Sequence, residues 1–326
     1  MKSELLALLR ESDSYLSGQE LCEKFGVSRT AIWKAMGQLK KEGYVIEAVQ
    51  NKGYRLLSAP DVLSREEIAS RLRTRIMGKN LVYLDCTGST NQDAKRLAEE
   101  GAPSGTLVVT DCQKEGKGRR GRGWDSPAGI NIYFTLLLKP SFSPDKASML
   151  TLVMALSVAQ ALEQECHIRP GIKWPNDIVA DGKKVCGILT EMTLEAEYIQ
   201  SVVIGTGINV GQTEFPEELK EKATSLALVC EKPPVRSALI ARIMQCFEAN
   251  YEIFEQQLSL APLRDAYQAY LVNRDREVCV LDPAGEYRGI ARGIDEGGQL
   301  LVELPDGEKK TVYAGEVSVR GIYGYV

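Results

Sequence analysis

Histidine is nearly missing from this 326-residue chain: His167 is the only one. A Ser-His-Asp triad or a His-rich metal centre is therefore close to excluded, because each needs imidazoles this chain does not have. Eight cysteines are present, but they are widely scattered and no two make a C-x-x-C pair. That pattern reads as reduced thiols in packed positions, not as a disulfide framework or a zinc site. No apolar run approaches 18 residues, and Met1-Lys2-Ser3-Glu4 carries no secretory leader pattern. The expectation is a cytoplasmic protein with no membrane segment. Charge of one sign is lacking too: 40 basic residues stand against 44 acidic ones, net −4. Any contact with nucleic acid must then come from a local basic surface. What is left is an ordinary globular composition, 44% hydrophobic and 26% charged, long enough for two or three domains. An enzyme of this composition works with lysine, arginine, backbone amides and a loosely held metal.

Against that plain background, Gly116 to Gly123 (Gly-Lys-Gly-Arg-Arg-Gly-Arg-Gly) alternates four glycines with four cations, and Trp124 closes the run. Glycines let backbone amides approach a ligand closely. Lys117, Arg119, Arg120 and Arg122 add positive charge, and the arginines offer planar forks suited to phosphate or carboxylate. A loop of this kind is built to close over an anion. Gly116-x-Gly118-x-x-Gly121 matches the dinucleotide fingerprint as a string, yet that fingerprint needs a helix opening straight after it. Here Trp124 to Gly129 is turn-rich and leads to a strand at 130–138, so the Rossmann reading fails. A P-loop fails as well, since Arg122-Gly123 follows Gly121 where Lys-Ser/Thr is required.

The first sixty residues read as a separate module. Glu4 to Glu11 is a short amphipathic helix. Ser17 N-caps a second helix, with Glu20 completing a capping box, and that helix stops at Gly26. Ser28 starts a third through Glu42, with Ile32, Trp33, Met36 and Leu39 on the apolar spacing. Helix, short turn and helix make a helix-turn-helix, and the strand pair 44–49 and 53–57 reads as a wing. Residues 24–42 hold Lys24, Arg29, Lys34, Lys40 and Lys41 against Glu42 alone, five minus one, net +4. The third helix would present Ser28, Arg29, Thr30 and Lys34 to a major groove. A helical packing module with a solvated basic face is the plainer alternative.

Ser58 to Asp61 looks like a linker, and Ser64 caps the next helix. From Asn80 the pattern is mixed. Strands are expected at 81–85, 106–111, 130–138, 171–180, 185–193 and 198–208. Helices are expected from Ser89 to Glu100, at 144–165, 216–222, 235–257 and 262–271. From Arg274 short alternating strands recur, with turns at Asp282-Pro283, Gly297-Gly298 and Asp306-Gly307, which suggests a small SH3-like barrel. The fold class is α+β.

A second motif, Lys173-Trp174-Pro175-Asn176-Asp177, sits at the start of a strand, and Lys183-Lys184-Val185-Cys186-Gly187 follows the turn Asp181-Gly182. A lysine at the mouth of a buried strand suits charge stabilisation of a reacting group. With Ser89-Thr90-Asn91-Gln92 before and Gly205-Thr206-Gly207-Ile208-Asn209 after, the set becomes specific. The chain resembles the family of bifunctional biotin protein ligases and biotin operon repressors, over essentially its whole length.

The resemblance implies three domains. These are a winged helix-turn-helix at 1–60, a central mixed-sheet ligase domain of the biotin/lipoate type at 64–272, and the SH3-like domain at 273–326. It implies a two-step reaction in which biotin and Mg·ATP give biotinyl-5′-AMP and pyrophosphate, and a lysine of a biotin carboxyl carrier protein then displaces AMP. It also implies repression of biotin genes by an adenylate-bound homodimer at operator DNA. By motif, Lys184 and Arg119 are the catalytic residues. Ser89, Thr90, Gln113, Gly116, Lys117, Arg119, Lys184, Gly187 and Gly205 bind biotin; Arg119, Arg122, Trp124, Asn176 and Asn209 bound the nucleotide. Asp177 is the candidate for the Mg²⁺. Plainer roles exist: a helix cap for Ser89 and Thr90, core packing for Trp124 and Trp174, turn chemistry for Asn209. The chain departs from the family at Lys117, where arginine is frequent, and at Ala223, where one branch folds a tryptophan over adenine. A biotin-sensing regulator without ligase activity, a ligase with an idle winged helix, and a lipoate-type ligase stay open as alternatives.

Overall fold

The computed structural model describes residues 1–282, 285–314 and 318–321. It separates into two compact units, Met1–Leu72 and Arg73–Val326.

The first unit contains α1 (Lys2–Glu11), α2 (Gly18–Phe25), α3 (Arg29–Lys41), the hairpin β1 (Val45–Val49) and β2 (Gly53–Ser58), and α4 (Arg65–Arg71). Local chemistry sets the helix starts. The Ser17 side chain accepts the Glu20 amide while the Glu20 carboxylate takes the Ser17 amide, and Gly26 ends α2 in the left-handed conformation. Ser28 caps α3 by accepting from Ala31. Leu5, Leu6, Leu9, Leu21, Ile32, Met36 and Leu39 fill one core.

Trp33 does not join them. It is 66% exposed, because a step of one residue from Ile32 turns about 100° around the helix and leaves the i, i+3, i+4 stripe. The hairpin turn brings Gly53 against Leu16, where an added Cβ would lie 2.0 Å from the Leu16 carbonyl oxygen. Helix α4 also lies in this unit, where the sequence suggested the start of the ligase domain. Its fully buried Glu67 accepts from Arg10 at 2.6 and 2.7 Å, from Arg71 at 3.0 Å and from Tyr44 at 2.5 Å. Burial alone would raise the Glu67 carboxyl, but the Tyr44 hydrogen bond and the two arginines outweigh it and hold the group below its usual range.

The second unit is built on a seven-stranded sheet in the order β3-β4-β5-β9-β8-β7-β6. The strands are β3 (Leu81–Leu84), β4 (Thr106–Thr110), β5 (Ile132–Leu138), β6 (Gly171–Lys173), β7 (Asp177–Ala180), β8 (Lys183–Glu195) and β9 (Tyr198–Ile208). Only β3 and β4 pair in parallel. The helices are α5 (Thr90–Glu99), α6 (Met149–Cys166), α7 (Leu226–Val229), α8 (Arg236–Gln257) and α9 (Arg264–Tyr270).

Two expectations change here. The single strand expected over 171–180 is a hairpin, β6 and β7, with a turn at 174–176 containing a cis Trp174–Pro175 bond. The helix expected at 216–222 is one 3-10 turn, Glu217–Leu219. The stretch Pro144–Cys166 has the length and mean hydropathy (1.2) of a membrane-crossing helix, which a search for an unbroken apolar run passes over. It is a core helix: 72% of its apolar window is buried.

The last strands, β10 (Glu277–Asp282), β11 (Gly285–Ile294), β12 (Leu300–Glu303), β13 (Lys309–Val312) and β14 (Ser318–Gly321), form an antiparallel sheet in the order β13-β12-β11-β10-β14. This is the expected small β domain. Of the expected turn at Asp282-Pro283, Pro283 lies outside the described residues.

Candidate active site

The site lies on the seven-stranded sheet, where the β4–β5 connection crosses β8 and β9. Two connected spaces result. A narrow cleft of about 50 Å³ runs between Ser89, Thr90, Gln113, Lys117, Gly187 and Gly205, and a chamber of about 300 Å³ opens beside it between Arg122, Asn209, Phe215, Leu219 and Ala223. Arg119, Trp124, Asn176 and Lys184 border both.

The floor of the cleft is a polar network. Gln113 Oε1 accepts the Thr90 amide at 3.0 Å and the Thr90 hydroxyl at 3.1 Å, and Gln113 Nε2 donates to Ser126 Oγ at 3.1 Å. Gln113 thereby supplies the cap of α5 from another segment. Ser89 occupies the N-cap position but makes no side-chain cap hydrogen bond, so capping does not account for its place in the cleft. Thr135 Oγ1 bonds Thr90 Oγ1 at 2.8 Å and Asn91 Oδ1 at 2.7 Å. Asn91 Nδ2 donates to Glu191 at 2.7 Å, and Lys95 pairs with the same carboxylate at 2.8 Å. Asn91, Thr135 and Glu191 were not singled out in the sequence. Their signal is tertiary, apart from the Ser-Thr-Asn-Gln string.

The glycines are needed for close approach. A Cβ on Gly205 would lie 2.2 Å from Asn91 Oδ1, and one on Gly116 2.4 Å from the Trp124 carbonyl oxygen. On Gly207 it would meet the Trp124 indole nitrogen at 2.5 Å, and on Gly187 the same ring at 2.8 Å. The two strand glycines thus make a slot for the Trp124 ring, whose buried Nε1 has no hydrogen-bond partner among the described residues.

The basic loop folds back on itself. Lys117 bridges Gly123, the Gly118 amide donates to the Arg122 carbonyl at 2.7 Å, and Arg119–Gly121 makes a 3-10 turn with Arg120 at φ 57°. Lys117, Arg120 and Arg122 are exposed. Arg119 instead turns inward, donating to Asn176 Oδ1 at 2.9 Å and to the Ala314 carbonyl at 2.5 Å. Burial lowers its guanidinium and Asp177 opposes that; an arginine so placed keeps its charge.

Lys184 stands at the junction of the two spaces. Its Nζ is 2.6 Å from Asp177 Oδ1 and 5.3 Å from the Trp124 ring centroid. Its backbone is clamped on both sides: its amide donates to the Lys222 carbonyl at 2.8 Å and its carbonyl accepts from Thr224 at 2.9 Å. The segment carrying Ala223 is therefore a support for the lysine. Asn209 Nδ2 is spent on the Thr224 carbonyl at 3.0 Å, so this residue braces the same segment where it borders the chamber. Phe215 and Leu219 supply the apolar wall that Ala223 does not. Among the described residues no group of three His, Cys, Asp or Glu side chains could cage a metal. Asp177 is already shared by Lys184 and Asn176 Nδ2, the latter at 3.0 Å.

In the first unit, Ser28, Arg29, Thr30 and Lys34 all lie on the exposed face of α3. Ser28 is used as the helix cap, and Arg29 donates to Gln19 Oε1 at 2.9 Å. A groove between the start of α3 and the hairpin turn is bordered by Gln19, Arg29, Gln50, Asn51 and Lys52.

Sheet, basic loop and clamped lysine together define the class: an acid-activating ligase of the biotin/lipoate type with a helix-turn-helix in front. Residues 83–209 match the Biotin/lipoate A/B protein ligase family, residues 2–55 a helix-turn-helix domain, and residues 275–320 the Biotin protein ligase C terminal domain. The chain is 40% identical to the bifunctional ligase/repressor BirA of Bacillus subtilis, over 98% of each protein. To that of Escherichia coli it is 32% identical, over 97% of this chain and 96% of the relative. A biotin protein ligase from Aquifex aeolicus, solved with biotin and ATP, superposes with a TM-score of 0.65 at 33% identity, covering 74% of this chain and 99% of that one. The chain belongs to the biotin protein ligase family, in its bifunctional ligase/repressor branch.

Proposed function

We propose that this protein ligates biotin to a carrier protein at the expense of ATP and represses biotin genes when it holds the activated intermediate. The narrow cleft receives the biotin ring, where Ser89, Thr90 and Gln113 present hydroxyl and amide groups to the polar ureido edge. Lys117 and the close-packed Gly116, Gly187 and Gly205 border the valeryl chain. Mg·ATP enters the chamber between Trp124, Asn176 and the wall of Phe215 and Leu219, with Arg122 at its mouth. Mg²⁺ arrives with the triphosphate, as its preference for phosphate oxygens and water implies, and Asp177 is the carboxylate within reach.

A carboxylate oxygen of biotin attacks the α-phosphorus, and the bond to the bridging oxygen breaks to release pyrophosphate. Negative charge gathers on the α-phosphoryl oxygens in that step, and Lys184 and Arg119 are fixed where it gathers. The carrier lysine, as free amine, then attacks the acyl carbon, gives up a proton, and AMP leaves. Loop closure keeps water from the anhydride between the steps. The single observation that carries this reading is that Lys184 and Arg119 border both spaces at once.

Retention of adenylate is proposed to order the 116–123 loop and favour a homodimer, whose two winged helices bind a two-fold operator through Ser28, Arg29, Thr30 and Lys34. The protein is proposed to act in the cytoplasm. Incubation with ATP, Mg²⁺, biotin and a biotin-carrier domain should add one biotinyl group to the carrier lysine by intact mass. A carrier left unmodified, with biotin still bound to the protein, would instead favour a sensor without ligase activity. Equal DNA affinity with and without biotin plus ATP would sink the repressor half.

A further inference from the structure

Two of the scattered cysteines meet where the sheet hands over to the cleft. β3 and β4 run in the register Leu81↔Leu107 through Leu84↔Thr110, and Thr87 pairs with Gln113 just beyond the strand ends. That register sets Cys86 opposite Cys112. Backbone bonds continue past the pair: the Thr87 amide donates to the Cys112 carbonyl at 3.0 Å, and the Lys114 amide to the Thr87 carbonyl at 2.9 Å. The pairing sets the two side chains beside each other, and the neighbouring Cys86 thiol, ahead of burial, raises the Cys112 thiol above its ordinary range. Cys86 is exposed at the open edge of the sheet, since β3 is its terminal strand. A second close pair, Cys166 and Cys230, differs in that Cys166 is buried.

We propose that Cys86 and Cys112 form a thiol–disulfide site, oxidised by a low-molecular-weight disulfide, that adjusts the biotin cleft. The Cys86 thiolate attacks one sulfur of the small disulfide and releases one thiol. The Cys112 sulfur then attacks Cys86 and releases the second. Two protein thiols lose two electrons and two protons, and one small disulfide becomes two thiols. Access favours Cys86 as the thiol that attacks first, and Cys112, its partner across the strand register, is placed to resolve the mixed disulfide.

The consequence for biotin, which rests on the ligase reading above, follows from position. Gln113 follows Cys112 directly, and Ser89 comes three residues after Cys86. A sulfur–sulfur bond of roughly 2 Å is shorter than any non-bonded approach of two thiols, so closing it draws together the segments that carry Gln113 and the Ser89–Thr90 turn. Loss of alignment at one hydrogen bond there weakens biotin binding roughly threefold to tenfold.

The test treats the full-length protein with excess glutathione disulfide, maps its peptides without reduction, and titrates biotin calorimetrically before and after. A Cys230→Ser variant removes the competing pair. The expected result is a Cys86–Cys112 linked peptide, reversed by dithiothreitol, with weaker biotin binding that the Cys86→Ser variant does not show. A glutathione adduct that persists on Cys86, or no linked peptide in the Cys230→Ser protein, would overturn the site. A linked peptide with unchanged biotin affinity would overturn its coupling to the cleft. Reduced protein with no affinity for biotin would break the ligase reading and the coupling with it, while the peptide map still decides the disulfide.

Discussion

Two clusters of cations in this molecule are built in opposite ways. On α3, Lys34 projects into solvent, and Arg29 is exposed with one neutral partner. Around the cleft, Arg119 and Lys184 are largely withdrawn from water and fastened to Asn176, the Ala314 carbonyl and Asp177. Exposed cations act through a screened, adjustable field, which suits a long polyanion whose counterions are released on contact. Enclosed cations cost desolvation, and they return it only where charge develops at one fixed point. On the proposed reading the same two residue types serve attraction in one unit and chemistry in the other, and what separates the uses is burial and prior pairing.

Substitutions should break that contrast in a graded way. Replacing Lys184 by alanine should lower biotin-dependent adenylate formation about 100- to 1000-fold, the range found on removing one preorganised charge-stabilising donor. Binding of the ligand-free protein to a mixed-sequence DNA duplex should not change, and loss of both would undo the separation. In the first unit the enclosed charge is structural: Glu67→Ala strands Arg10 and Arg71 and should destabilise that unit by about 3 kcal/mol, read by denaturant unfolding.

The same group sets an acid limit. Its folded-state carboxyl is depressed, so its stabilisation is present above the unfolded value and disappears as pH falls through the folded one. Unfolding of the first unit should begin below the ordinary glutamate range of about 4.3, and Glu67→Gln should flatten that dependence. Smaller still, Gly207→Ala forces the Trp124 indole from its slot and should weaken ATP binding roughly tenfold by calorimetry. Smallest is Lys34→Ala, which should reduce the salt dependence of DNA binding by about one unit of slope and leave ligation untouched.

Features carried by a few adjacent residues were legible beforehand. The capping box at Ser17–Glu20, the stop at Gly26 and the glycine–cation alternation of the loop each signal through local backbone chemistry. Trp33 misled because apolar character was read without its angular position. The strand over 171–180 misled because β-forming residues flank a Pro175 turn that folds them into a hairpin. Long-range pairings left no local trace: Gln113 capping a helix 23 positions earlier, the Ala314 carbonyl holding Arg119, and Asn209 bracing the support of Lys184. The glycine–cation alternation alone does not say which of Arg119, Arg120 and Arg122 turns inward, since all three sit in the same string; Arg119 is singled out only by the family resemblance.

If the enclosed pair Lys184 and Arg119 serves formation of an acyl adenylate, the first half-reaction depends on it. Exchange of labelled pyrophosphate into ATP, with biotin present and no carrier, isolates that step. Biotin-dependent exchange is expected in the parent protein, with near loss in Lys184→Ala. Exchange without biotin, no exchange at all, or exchange unaffected by the substitution would contradict a role for the pair in adenylate formation.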